Sequence, residues 1–187
     1  MSEAWSRLAA RIAGCTACAE LVATRTQVVP GVAPPGARLV LLGEAPGAAE
    51  DAAGVPFVGR SGWWLDAALG AAGLARADVA VVNVLKCRPP GNRAPRRAEV
   101  AACRPWLEAQ LDLLDPALVV ALGGTAAQWF FGPAARISRL RGETHRALGR
   151  RVLVTYHPSA ALRFGPTGQP ALALAADLAI AADLLAA

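Results

Sequence analysis

The chain reads as an α/β protein, a single three-layer α/β/α domain with a central four-stranded, mostly parallel sheet. Three observations carry that expectation. Four short apolar runs, Arg38–Gly43, Val79–Val84, Ala117–Leu122 and Arg151–Tyr156, have the length and the Val and Leu content of buried strands. Each leads into a loop rich in Gly, Pro or polar residues and then into a helix-like stretch. The alternation of such runs with helix-like stretches implies a parallel sheet covered on both faces. With 187 residues there is enough chain for one sizeable core, so residues 1–187 are expected to form one domain.

The helices are expected at Ala4–Ala13, Gly62–Ala72, Arg96–Leu114, Thr125–Phe131 and Ala171–Leu185. In Arg96–Leu114, Val100, Cys103, Leu107, Leu111 and Leu114 recur at spacings of three and four, which makes one buried stripe and turns Cys103 inward. Asp115-Pro116 ends that helix. Gln27–Ala37, with three prolines, and the arginine-rich Gly132–Gly149 are expected as long irregular loops.

Composition narrows the function classes. Hydrophobic residues make up 55% of the chain, but much of that is alanine, and Asp177 and Asp183 interrupt the last apolar helix. No segment is therefore expected to span a bilayer. Met1-Ser2-Glu3-Ala4-Trp5-Ser6-Arg7 lacks the basic start and apolar run of a secretory signal, so a cytoplasmic protein is expected. The formal charge of +5, with all but one of the basic residues arginine, suits a polyanionic partner. The densest basic stretch holds Lys86, Arg88, Arg93, Arg96, Arg97 and Arg104, opposed within it only by Glu99.

In open α/β sheets ligands bind beyond the carboxyl ends of the strands. Three unusual segments fall there: Gly43-Glu44-Ala45-Pro46-Gly47-Ala48-Ala49-Glu50-Asp51, Asn83-Val84-Leu85-Lys86-Cys87-Arg88-Pro89-Pro90, and His157-Pro158-Ser159. The four cysteines follow the pattern Cys15-x2-Cys18 … Cys87-x15-Cys103 with none left over. A metal site is the leading reading of that pattern, and thiolate ligation suits zinc and iron–sulfur clusters alike. Buried apolar cysteines and disulfides are the alternatives, the latter disfavoured in a cytosolic chain.

Together these segments, with Val55-Pro56-Phe57-Val58-Gly59-Arg60-Ser61-Gly62 and Pro89-Pro90-Gly91-Asn92-Arg93, resemble family 4 of the uracil-DNA glycosylases, from Cys15 to about Arg163. The resemblance implies a [4Fe–4S] cluster on Cys15, Cys18, Cys87 and Cys103. It implies a uracil pocket of Gly43, Glu44, Ala45, Phe57, Asn83 and His157, with Glu44 and His157 catalytic. A sister subfamily that captures uracil covalently carries a histidine nucleophile after the second strand, and Cys87–Cys103 contains no histidine.

The chemistry of these residue types agrees with that assignment. One Asn83 amide can accept from N3–H of uracil and donate to O4, a pattern cytosine reverses. Phe57 would stack on the base, and His157 would donate to O2 as negative charge gathers on the leaving base. Glu44 would hold the attacking water or offset positive charge on the sugar. In the best-known branch of these enzymes an aspartate holds the water and a tyrosine excludes thymine; Ala45 and Gly47 stand at those positions here.

Arg88, Arg93, Ser159 and Arg163 are candidate DNA-backbone contacts, and Ala160–Arg163 could place Leu162 as a wedge in the gap left by a flipped base. The expected partner is uracil-containing DNA, single- or double-stranded, bound by a monomer. Three further readings compete: a glycosylase of broader deaminated-base range, a non-catalytic iron–sulfur DNA-binding protein, and a zinc-stabilised binding module.

Overall fold

The computed structural model describes residues 2–186. Along the chain come α1 (Glu3–Ala13), α2 (Ala19–Thr24), β1 (Leu39–Gly43), α3 (Ala48–Ala53), α4 (Arg60–Ala71), β2 (Ala80–Asn83), α5 (Arg97–Leu114), β3 (Leu118–Leu122), α6 (Gly124–Phe131), α7 (Ile137–Leu140), β4 (Thr144–Ala147), β5 (Arg150–Thr155), α8 (Ser159–Phe164) and α9 (Gln169–Ala186). The sheet order is β2-β1-β3-β5-β4. The first four of these are parallel neighbours, and β4 pairs antiparallel with β5.

Side-chain alternation along the strands divides the core in two. Val40, Leu42, Val82, Val119, Ala121, Val152 and Val154 point to one face, where α5 contributes Leu107 and Leu111 and α6 contributes Trp129 and Phe130. Leu39, Leu41, Val81, Val120, Leu122 and Leu153 point to the other, covered by Leu65 and Leu69 of α4 and by Leu174 and Leu178 of α9. The expected three layers are therefore present, and the inward stripe of α5 buries Cys103, Leu107 and Leu111.

Two expectations need correction. The sheet has five strands, because Gly132–Gly149 is not an irregular loop: it holds α7 and the edge strand β4. Thr144-His145-Arg146-Ala147 is only half buried, so it lacks the apolar signature of the inner strands. Leu148 and Gly149, with φ of 49° and 75°, make the two-residue hairpin turn into β5. The exclusion of any bilayer-length segment also fails by composition, since α9 is long and apolar enough to cross a membrane. In this fold α9 packs along the sheet instead, and its fully buried Asp177 takes two hydrogen bonds from Arg141, at 3.2 and 2.9 Å.

The chain passes from β1 to β2 on one side and then returns to place β3 on the other side of β1. That reversal opens a crevice at the carboxyl ends of the strands. Gly43 pairs with Asn83 at the last rung of β1 and β2, and Leu122 with Thr155 at the last rung of β3 and β5.

Candidate functional site

A cavity of about 300 Å³ lies at that crevice, lined among others by Glu44, Ala45, Phe57, Asn83 and His157. Five of the six pocket residues expected from the sequence thus meet in space. The sixth, Gly43, lies directly beneath. A Cβ on Gly43 would stand 2.2 Å from Asn83 Oδ1 and 2.8 Å from the Phe57 ring, so only glycine allows both groups into the site.

Asn83 ends β2 at 3% exposure, and its Oδ1 has no hydrogen-bond partner among the described residues. A buried acceptor left unpaired is costly unless a ligand satisfies it. Phe57 is both a core residue and a pocket wall, with its ring centroid 5.5 Å from that of His157. Its backbone has φ 55°, in the left-handed region that a bulky residue rarely adopts. Gly62 makes this turn possible, because a Cβ there would fall 1.9 Å from the Phe57 carbonyl oxygen.

His157 follows β5. The backbone N–H of Ser159 donates to its Nδ1 at 3.1 Å, and the Ser159 hydroxyl lies 2.8 Å from the same atom. An N–H can only donate, so Nδ1 is the acceptor and the proton of the neutral ring sits on Nε2. The surrounding protein disfavours a charged imidazole and lowers its pKa to about 4, only partly offset by the Glu50 carboxylate. Gly123, with φ 94°, brings the turn between β3 and α6 against this histidine; a Cβ there would lie 2.9 Å from His157 Cβ.

Glu50 of the pocket and Thr125 behind Glu44 had no role assigned from sequence. Glu50 accepts from the backbone N–H groups of Gly47 at 3.1 Å, Val58 at 3.1 Å and Gly59 at 2.9 Å. It ties the loop after β1 to the turn that carries Phe57. The signal was a glutamate three residues after Gly47, a helix-start spacing. Thr125, in the first turn of α6, donates its hydroxyl to Glu44 Oε2 and so orients that carboxylate.

The basic stretch is largely committed within the protein. Arg93 donates to both Glu99 oxygens, at 3.0 and 2.5 Å, and lies 3.4 Å from Glu20; Arg96 also pairs with Glu20. Arg104 pairs with Glu108 and covers the Trp129 ring. Lys86 is buried and donates to the Asn83 carbonyl at 2.6 Å, its pKa lowered to about 8 by burial. Arg88 bonds Asn92 through Nε, and Arg163 is exposed on α8. The expected free basic face is thus reduced, since Glu20, remote in sequence, joins Glu99 in opposing it.

The four cysteines are free thiols and line a second cavity with Leu21, Arg25, Leu85, Lys86 and Trp106. Cys15 and Cys18 bracket the turn between α1 and α2, Cys87 follows β2, and Cys103 lies in α5. Arg25 donates to Cys87 Sγ at 2.9 Å and Trp106 Nε1 to Cys15 Sγ at 3.2 Å. Burial raises the pKa of Cys18 and Cys87, and that of Cys103 to about 11. Among the described residues no three His, Cys, Asp or Glu side chains converge closely enough to share a single metal ion.

A polar pocket at the switch point of a parallel sheet, with a buried acceptor unpaired among the described residues, is where α/β proteins of this architecture bind ligands. The family model described as the uracil DNA glycosylase superfamily matches residues 30–179, and the chain belongs to that superfamily. It is 45% identical over 155 residues to a type-4 uracil-DNA glycosylase of Thermotoga maritima, covering 82% of this chain and 80% of that protein. It is 43% identical over 159 residues to the type-4 enzyme of Archaeoglobus fulgidus, covering 81% and 79%. A type-5 uracil-DNA glycosylase of Mycobacterium tuberculosis is 34% identical over 196 residues, covering 81% of this chain and 71% of that protein.

Proposed function

We propose that the chain, acting as one domain and as a monomer in the cytoplasm, is a monofunctional uracil-DNA glycosylase. It hydrolyses the bond between uracil and deoxyribose in DNA, releases free uracil and leaves an abasic site. The observation that carries this reading is the buried, unpaired Oδ1 of Asn83, an acceptor for N3–H of uracil, in the same pocket as a neutral His157.

The target nucleotide must leave the stack, which takes a few kcal/mol and least at a mismatch or in a single strand. Phe57 then covers the base face and the Asn83 amide reads its edge. As the glycosidic bond breaks, its electron pair moves into the ring and toward O2. There His157 Nε2–H donates, an interaction worth about 2.7–4 kcal/mol in a dry site. Glu44, with one oxygen held by Thr125, has the other for the water that adds to the sugar carbon; the departing base takes up a proton.

Glu50 is the residue proposed to exclude thymine. A Cβ on Gly47 would lie 2.8 Å from Glu50 Oε2, so this carboxylate occupies the space that a larger residue at position 47 would fill. It takes over the tyrosine's part in turning away a methyl group.

Cys15, Cys18, Cys87 and Cys103 are proposed to hold a [4Fe–4S] cluster. The donor set supports this: four thiols line one cavity, and cysteine thiolates are the usual ligands of such clusters. When bound, the cluster supplies a structural tie between the N-terminal segment and the β2–α5 region. Arg88 and Arg163 are the proposed backbone contacts, while Arg93 and Ser159 act first on Glu99 and His157. Leu162, 39% exposed on α8, is available as the wedge.

The test is cleavage of oligonucleotides that hold one uracil, thymine, cytosine or hypoxanthine, by brown, anaerobically purified protein, read by alkaline scission. Uracil release that is lost in His157→Ala while the colour stays supports the reading. Release from none of the four substrates overturns it, and comparable release of hypoxanthine favours the broader-range glycosylase.

A further inference from the structure

Of the nine exposed large hydrophobic side chains among the described residues, five lie in two short segments beside the pocket: Val55, Val58 and Trp63 in one, Leu162 and Phe164 in the other. Scattered exposure is ordinary, but clustering at a site calls for an occupant. Trp63 is 71% exposed and Phe164 is 60% exposed, the two highest values in the set. The first segment contains Ser61 and the second follows Ser159, both of which line the cavity, and α4 packs against α8. Trp63 follows Ser61 by two residues in α4, and Phe164 follows Ser159 by five in α8.

We propose that Trp63 and Phe164 form a stacking platform for unpaired bases flanking the flipped nucleotide, and that the protein thereby favours uracil in single-stranded DNA. The inference rests on the uracil-DNA reading and extends it to the form of the substrate. Three features select a nucleic-acid strand as the occupant. The patch is carried by the same two stretches of chain that supply Phe57, Ser61, His157 and Ser159 to the pocket. Residues 55–64 and 156–170 contain no acidic residue and carry the exposed Arg60 and Arg163, complementary to phosphate. Aromatic rings are the side chains on which unpaired bases stack without regard to sequence, whereas paired bases hide their faces.

The experiment measures binding of a fluorescently labelled, uracil-free oligo-dT by anisotropy, with anaerobically purified full-length protein. Alongside it, KM and kcat are measured for uracil in a single strand and in a G·U duplex. Trp63→Ala and Phe164→Ala should each weaken oligo-dT binding roughly tenfold. They should raise KM for the single strand more than for the duplex and leave kcat unchanged, and Trp63→Phe should restore most of the binding. Oligo-dT affinity unchanged in both alanine variants overturns the platform and leaves the patch to a protein partner. If no uracil is released by any form but Trp63→Ala still weakens oligo-dT binding, the platform stands and the glycosylase reading falls.

Discussion

The base pocket and the cysteine cavity share one end of β2, where Asn83 closes the first and Cys87, four residues on, lines the second. They are built on opposite terms. In the pocket several polar groups already have a protein partner: Glu50 holds three backbone N–H groups, Glu44 takes the Thr125 hydroxyl on one oxygen, and His157 is fixed at Nδ1 by Ser159. Among the described residues Asn83 Oδ1 is left without a partner, as is Arg93 Nε. In the cavity Cys18, Cys87 and Cys103 are thiols whose ionised forms burial disfavours, eased by Arg25 at Cys18 and Cys87 and by Lys86 at Cys103. The pocket is thus shaped before its ligand arrives, whereas the cavity joins distant segments through whatever the sulfurs bind.

The sharpest way to break that contrast is to remove a thiol. Cys103→Ser should bleach the brown protein and lower its melting temperature by ~10 °C or more, because loss of a structural metal site is worth several kcal/mol. Retained colour and an unchanged melt would refute the ligand assignment. Next in size, His157→Ala should lower kcat on uracil DNA by ~10²–10³. Since the pocket is held by other bonds, the melt of that variant should stay close to the parent's.

Smaller effects probe how the pocket is shaped. Gly43→Ala forces a Cβ to 2.2 Å from Asn83 Oδ1, so uracil release should fall by about tenfold or more through displacement of both Asn83 and Phe57. Asn83→Asp should shift recognition toward cytosine, since a carboxylate accepts from its exocyclic amine. No cytosine release by that variant counts against the role given to Asn83.

The pH dependence follows from the lowered His157 value. Folded His157 titrates near 4 while an unfolded histidine titrates near ~6.5, so between these values the unfolded chain binds the extra proton. This residue therefore withdraws stability as pH falls from about 6.5 toward 4 and withdraws none above that window. The neutral donor persists through it, so single-turnover rates should show no His157 inflection between pH 5 and 8. The smallest expected effects concern DNA affinity: Arg88→Ala should reduce the salt slope of binding by about 0.9, and Arg93→Ala should leave it nearly unchanged.

The four parallel strands are legible in the sequence because burial on both faces demands continuous apolar runs, and Leu39–Gly43 and Leu118–Leu122 carry that demand openly. The edge strand Thr144–Ala147 carries none of it and emerges only when β5 is there to pair with. The pocket set is legible through its residue types at the strand ends. Glu50 was in plain view, but nothing in its spacing reveals that it also reaches Val58 and Gly59 across a loop.

By itself, then, the sequence determined the layered α/β plan, the superfamily, and which residue types could serve a base or a metal. Those properties reside in local periodicity and in the chemistry of single side chains. Only the tertiary structure decided which of those groups are free to act. Arg96 finds Glu20 across 76 residues of sequence, and Arg93 is drawn into the same cluster by Glu99, leaving fewer arginines for DNA. The orphaned oxygen of Asn83, the tautomer of His157 and the outward faces of Trp63 and Phe164 are likewise set by which chain segments pack together, a property no single stretch of sequence carries.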